Sequence, residues 1–216
     1  MRTIETKVYE FDELTEEQKE KTTEKLWDVN VNYEWWESVY EDAVRMGALL
    51  GIEIEQRRFK AYGGKTGCEP KIQFSGFCSQ SDGASFEGGY RFVPDALLKI
   101  QEETDDKELI RIAQELALIQ VTRRLQDLGD FKVSVSTSGN YCHSNTMSVT
   151  LELDDDSTED IEPDLIGLEK ELTQLMRDFA DWIYERLENE HDYLTSDEHI
   201  DQYLSEEKFD SLGQVI

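Results

Sequence analysis

The sequence predicts an α+β fold, an antiparallel sheet of four to five strands packed with helices, with a long acidic C-terminal helix. Two periodicities lead to it: several segments repeat apolar residues at i, i+3 and i+4, and others alternate apolar with polar. Composition is the third sign. The chain is 38% hydrophobic and 10% aromatic, enough to bury a core despite a formal charge of −27. Its 216 residues are read as a single domain, with an α+β core over 1–153 and an acidic linker and helices over 154–216 packed on it.

Ile4 to Tyr9 opens as a strand. Thr15-Glu16-Glu17-Gln18 has the capping-box pattern and starts a helix to about Trp27. Trp36, Val39, Tyr40, Ala43 and Leu50 share one face of a second helix, stopped near Gly51. Ile52 to Tyr62 reads as a strand, Tyr62 to Gly67 as a loop, and Lys71 begins another strand. Pro94 suits the first turn of a short helix to about Glu102. A longer helix, Asp105 to Leu128, faces inward with Leu109, Ile112, Leu116 and Ile119 and ends at Gly129. Phe131, Val133 and Val135, then Met147, Val149, Leu151 and Leu153, form a hairpin. After the linker DDDSTEDIEPD, a helix from about Leu165 to Tyr193 carries the stripe Leu168, Leu172, Leu175, Phe179, Trp182 and Leu187. A last helix is capped at Thr195-Ser196-Asp197-Glu198.

The segment FSGFCSQSDGASFEGGYR, Phe74 to Arg91, reads as a sheet hairpin. Alternation brings its aromatic rows together through a three-residue loop, Ser81-Asp82-Gly83, with Gly83 left-handed. This pairs Cys78 with Phe86, Phe74 with Tyr90 and Ile72 with Phe92, and sets Gly76 opposite Gly88. The gap so formed expects a filler, a ring from Trp35 or Trp36 or a planar ligand. Gln80, Asp82 and Ser85 lie at the tip and are candidate contacts, as are Tyr141 and His143 in the polar loop SGNYCHSN.

Charge narrows the function classes. At −27 the chain repels nucleic acid and anionic membranes and favours basic partners. The N-terminus has no apolar leader and no run approaches a membrane span, which predicts a cytoplasmic protein. Cys68, Cys78 and Cys142 show no metal spacing, adjacent Cys142-His143 point apart, and no metal or cofactor is expected. Ser79 or Ser81 with Asp82 and His143 lacks a nucleophile elbow, so no catalytic residue is assigned. GGKTG lacks the P-loop's leading glycine and following helix.

Two surfaces remain. Gly51 to Phe92 holds six basic residues, Arg57, Arg58, Lys60, Lys65, Lys71 and Arg91, against five acidic, Glu53, Glu55, Glu69, Asp82 and Glu87, a net +1 in a chain of −27, and could take a small anion. Glu152 to Asp210 holds 22 acidic residues against four basic, a net −18, with Asp178, Asp181, Glu185 and Glu188 on the long helix as the candidate acidic surface. DNA mimicry asks for more: that helix is about 44 Å long, over which duplex DNA carries roughly 26 charges. It has eight acids and three bases.

Three blocks in order, YEFDELTEEQKEKTTEKLWDVNVNYEWWESVYEDA, FSGFCSQSDGASFEGGYRF and DFADWIYERLENEHDYLTSDEHI, resemble an uncharacterised phage and prophage family often labelled "antitoxin of toxin-antitoxin stability system". Ser81 stands where that pattern has Gly. The resemblance implies a virus-encoded protein of the bacterial host cytosol that neutralises another protein. The expected function is therefore a non-enzymatic antagonist of a bacterial defence or toxin protein, covering a basic surface of its partner with acidic residues. The alternative is a sponge for a small anionic ligand such as a nucleotide signal, and the third reading is an enzyme of unknown type.

Overall fold

The computed structural model describes residues 7–60, 66–122, 131–153 and 162–216. Among them are six α-helices: α1 (Glu16–Lys25), α2 (Glu37–Leu50), α3 (Ala96–Glu103), α4 (Lys107–Thr122), α5 (Glu162–Leu194) and α6 (Asp197–Glu206). The strands are β1 (Ile52–Ile54), β2 (Gln56–Lys60), β3 (Thr66–Pro70), β4 (Ile72–Phe74), β5 (Ala84–Phe86), β6 (Gly88–Tyr90), β7 (Phe131–Thr137) and β8 (Met147–Leu153). An α+β fold with an antiparallel four-stranded sheet and a long C-terminal helix is what the periodicities predicted.

The chain forms two compact units, Met1–Glu37 with Leu187–Ile216, and Ser38–Arg186. They part at 37/38 and 186/187. The reason lies in the smaller unit, where residues from both termini make one core: Phe11, Leu14, Ile200, Leu204 and Phe209 are all buried. Tyr9 and Phe209 exchange backbone hydrogen bonds at 2.8 and 2.9 Å, and the buried Thr22 hydroxyl donates to Gly213 O at 2.8 Å. The capping box forms as predicted: Thr15 N–H donates to the Gln18 side chain at 3.0 Å, and its hydroxyl accepts from Gln18 N–H at 3.3 Å.

In the larger unit the sheet order is β1-β6-β7-β8, antiparallel throughout. Its buried face carries Ile52, Ile54, Tyr90, Val133, Val135 and Val149. Phe179 of α5 is fully buried, edge-on to Phe86 of β5 at 5.8 Å and stacked on Trp182 at 5.6 Å. Strand β8 ends the sheet, and α5 side chains cover its exposed edge. Thr173 and Glu169 accept the Val149 and Leu151 N–H groups at 3.3 and 3.0 Å, while Arg177 donates to Met147 O at 2.9 Å. An edge that would otherwise template association is thereby closed.

Several element boundaries differ from expectation. The strand read as Ile52 to Tyr62 breaks at Glu55, and Thr66 and Gly67, loop-like in composition, belong to β3. The ring of Phe59 lies where a Gly67 Cβ would stand, 2.4 Å away, so this glycine makes room for an aromatic. Pro94 precedes α3 rather than entering it. The expected features at 4–6, 123–130 and 154–161 lie outside the described residues.

The hairpin register is corrected. Ile72 pairs with Phe86, Gln73 with Ser85 and Phe74 with Ala84, closing a loop over 75–83. Gly83 is not among the residues with positive φ. The Asp82 carboxylate accepts the backbone N–H groups of Cys78 and Ser79 at 2.9 and 2.7 Å and shapes the loop, while Phe77 stacks on Phe74 at 5.9 Å. Gly76 never meets Gly88, which sits across from Ile54 and Val135 in the other sheet, so the expected gap does not form.

Candidate functional site

The register changed because three ladders meet at a junction. Strands β1 and β2 are separated by Glu55, β3 and β4 by Lys71, and β5 and β6 by Glu87. Each of these residues passes its chain from one two-stranded ladder to the next: β1·β6, β2·β3 and β4·β5. Their backbones close a ring of hydrogen bonds: Glu55 N–H donates to Glu87 O (2.9 Å), Lys71 N–H to Glu55 O (2.7 Å) and Glu87 N–H to Lys71 O (3.0 Å). The Lys71 ammonium spans the two carboxylates, 2.7 Å from Glu55 and 2.9 Å from Glu87. Both acids hold its pKa above the ordinary lysine range, Glu55 foremost, and Lys71 in turn lowers that of Glu87.

Beside the junction lies a cleft of about 150 Å³ lined by Arg57, Lys71, Gln73, Ser85, Glu87 and Thr137, with Ile72 and Phe86. Ser85, expected at an open tip, is only 1% exposed, and its hydroxyl has no hydrogen-bond partner. Arg57, at this cleft, pairs with Glu69 on the neighbouring strand, and Arg91, away from the cleft, pairs with Glu53. Arg58, opposite Cys68 in the β2·β3 ladder, is exposed.

The other predicted residues are dispersed. Trp35 is buried, its ring 5.7 Å from His191 and edge-on to half-buried Trp36 at 5.9 Å, so this pair serves packing in the smaller unit. Gln80 is exposed. Asp82 is committed to its own loop, and the Ser79 and Cys78 N–H groups lower its pKa. Tyr141 is exposed, and His143 Nδ1 accepts the Asn145 N–H at 3.1 Å. The loop bearing them covers the β4–β5 hairpin, since a Cβ on Gly83 would meet His143 Cα at 3.2 Å.

The acids of α5 are partly consumed by the fold. Asp178 binds Arg111 at 2.5 Å and the Gln174 amide at 2.7 Å. Desolvation raises the pKa of Asp181, against the opposing effects of the Ser144 hydroxyl and His143. Glu185 is exposed and Glu188 half-buried.

A different acidic surface stands out in the smaller unit. Helices α1 and α6 border a groove of about 630 Å³ carrying Glu16, Glu20 and Glu24 from one side and Asp197 and Asp201 from the other. Among the described residues Lys19 is the one basic residue lining it, and it pairs with Glu16 at 3.3 Å. Phe11 and Ile200 form an apolar floor, and Trp27 is 54% exposed at the groove. A sequence signal for it existed: Glu16, Glu20, Glu24 and Trp27 follow the helical repeat. The partner acids lie about 180 positions away, which hid the groove.

Among the described residues, no cluster of three or more His, Cys, Asp or Glu is arranged to hold a metal ion, and no helix is long and apolar enough to cross a membrane. A family model described as a domain of unknown function (DUF8835) matches residues 35–197. No curated protein and no solved structure matches the chain.

Proposed function

We propose that this chain, which belongs to the DUF8835 family of domains of unknown function, is a non-enzymatic, phage-encoded protein that neutralises a bacterial defence or toxin protein by docking a basic segment of it. The observation that carries this reading is the α1/α6 groove, five carboxylates over an apolar floor beside an exposed tryptophan. Lysine and arginine side chains gain there both from the carboxylates and from the face of Trp27, while their aliphatic stems cover the floor. Electrostatic steering by a chain of −27 raises the encounter rate with a basic protein. The resemblance to phage antitoxin-labelled proteins supplies the biological setting.

The groove lies mostly outside the segment that defines the family, since Glu16 to Trp27 precede residue 35 and Asp201 follows residue 197. The proposed partner is thus a property of this chain's smaller unit. The alternative, a nucleotide sponge, draws on the Arg57 and Lys71 surface. A cleft of about 150 Å³ holds a group the size of a benzene ring, so a whole nucleotide does not fit within it.

Anisotropy of a labelled Lys/Arg-rich peptide, titrated with the full chain across a salt series, tests the docking chemistry. Binding that weakens with salt and is lost in Glu20→Lys/Asp201→Lys supports it; an acidic peptide bound equally well, or no effect of the reversal, refutes it. Capture from bacterial lysate by the native chain but not by the reversed variant, followed by rescue of cells expressing the captured protein, tests neutralisation.

A further inference from the structure

We propose that the cleft at the strand junction is a binding site for one tetrahedral oxyanion, a phosphate-sized group. This does not rest on the basic-partner reading, because it concerns other residues in the other unit.

Ser85 is the starting point. It is 1% exposed, it lines the cleft, and its Oγ lacks a hydrogen-bond partner. Buried hydroxyls without a partner are rare because their lost hydration is not repaid. The cleft wall then decides what the partner is. Each oxygen of its carboxylate already accepts one hydrogen bond: Glu87 Oε2 receives Lys71 Nζ at 2.9 Å and Oε1 receives the Thr137 hydroxyl at 3.0 Å. Arg57 holds Glu69 through Nε and Nη2, and its Nη1 donors are not part of that pairing. Lys71 has a third N–H beyond the two given to Glu55 and Glu87.

The Ser85 hydroxyl, the Arg57 Nη1 group and the third N–H of Lys71 are thus donors at the cleft outside those pairings, which suits an acceptor-only ligand. A metal cation there would face the Arg57 guanidinium and the Lys71 ammonium, two positive charges lining the same cleft. Size gives the second constraint: a volume of about 150 Å³ accommodates roughly six heavy atoms, the range of phosphate or sulfate. The ion pairs that hold Lys71 and Arg57 also keep both cations in place before a ligand arrives, so little ordering is needed on binding. Every cleft residue lies within 35–197, so the site belongs to the family segment.

The oxyanion could be free phosphate or the phosphoryl group of a larger molecule projecting from the cleft, and the test separates them. Thermal shift and phosphorus NMR on the full chain compare inorganic phosphate, a phosphomonoester such as glycerol 2-phosphate, and chloride at matched ionic strength. The expected result is a melting temperature raised by one of the two phosphates beyond chloride, with affinity at least tenfold weaker in Ser85→Ala and in Arg57→Gln. A preference for the phosphomonoester identifies the phosphoryl group of a larger ligand; a preference for phosphate identifies the free ion. The proposal is overturned if neither exceeds chloride, if Ser85→Ala binds as well as the native chain, or if crystals grown in phosphate show only water at Ser85 Oγ.

Discussion

Lys71 and Glu87 are joined twice. The Glu87 N–H donates to the Lys71 carbonyl at 3.0 Å, and the Lys71 ammonium lies 2.9 Å from the Glu87 carboxylate. Backbone and side chain thus fasten the same point, where three ladders branch. Lys71→Met should lower the melting temperature, by more in low salt than at 1 M salt, where the native pairs are screened.

The pH profile carries the same signature. Glu87 has a lowered folded pKa, so its stabilisation is present above its ordinary 4.5 and is lost as pH falls through the folded value. Lys71 has a raised folded pKa, so its share is present below 10.5 and is lost as pH rises through the folded value. Both limbs of the stability curve should flatten in Lys71→Met. An unchanged profile, followed by thermal melts from pH 3 to 11, removes the junction ion pairs from the account of stability.

Gly88 and Gly76 should respond very differently to alanine. A Cβ on Gly88 would stand 1.9 Å from Glu53 O, within the sheet backbone, whereas on Gly76 the nearest atom is Asp82 Oδ2 at 3.4 Å. Gly88→Ala is expected to cost about 3 kcal/mol and Gly76→Ala to stay within about 0.5 kcal/mol. Urea denaturation of the two variants measures this, and equal effects would contradict the observed register.

Arg111 gathers Glu108, Glu115 and Asp178, each at 2.5 Å, and Asp178 is only 16% exposed there. Arg111→Met leaves three like charges facing one another and should cost about 2 kcal/mol, a figure reduced for the solvent that reaches Arg111. Adding Asp178→Asn should recover part of the loss. Additive losses in that double-mutant cycle would mean the pair is not coupled.

Phe209 is fully buried, 5.7 Å from Phe11, in the core made by both terminal segments. Phe209→Ala should cost about 3 to 5 kcal/mol, and Thr22→Val, which removes the hydroxyl bonded to Gly213 O, about 1 kcal/mol. Hydrogen exchange should report both losses first in the smaller unit. Uniform loosening of Ser38–Arg186 instead would show that the two units are not separately stabilised.

Local signals served well for the helices. The Thr15 capping box acts over three residues, and the stripes Leu109-Ile112-Leu116 and Leu168-Leu172-Leu175 require only the helical repeat, so each was legible, and both stripes are buried. The hairpin from Phe131 to Leu153 was legible for the same reason, because its alternation serves one sheet with one buried face. The Phe74 to Arg91 hairpin was not. Its alternation serves two ladders, β4·β5 before Glu87 and β1·β6·β7 after it, so matching the rows to each other produced the wrong partner for every residue.

What the sequence determined by itself is the α+β class, the helix caps and faces, and an acidic excess of 27 charges, since these depend on neighbours along the chain or on composition alone. Tertiary structure decided where that charge is concentrated and what it can do. It brought Glu16, Glu20 and Glu24 alongside Asp197 and Asp201, spent Asp178 on Arg111, and buried Ser85 beside Lys71. The physical reason is that a charge or hydroxyl acquires its role from the partners within a few ångströms of it, and chain closure alone assigns those partners.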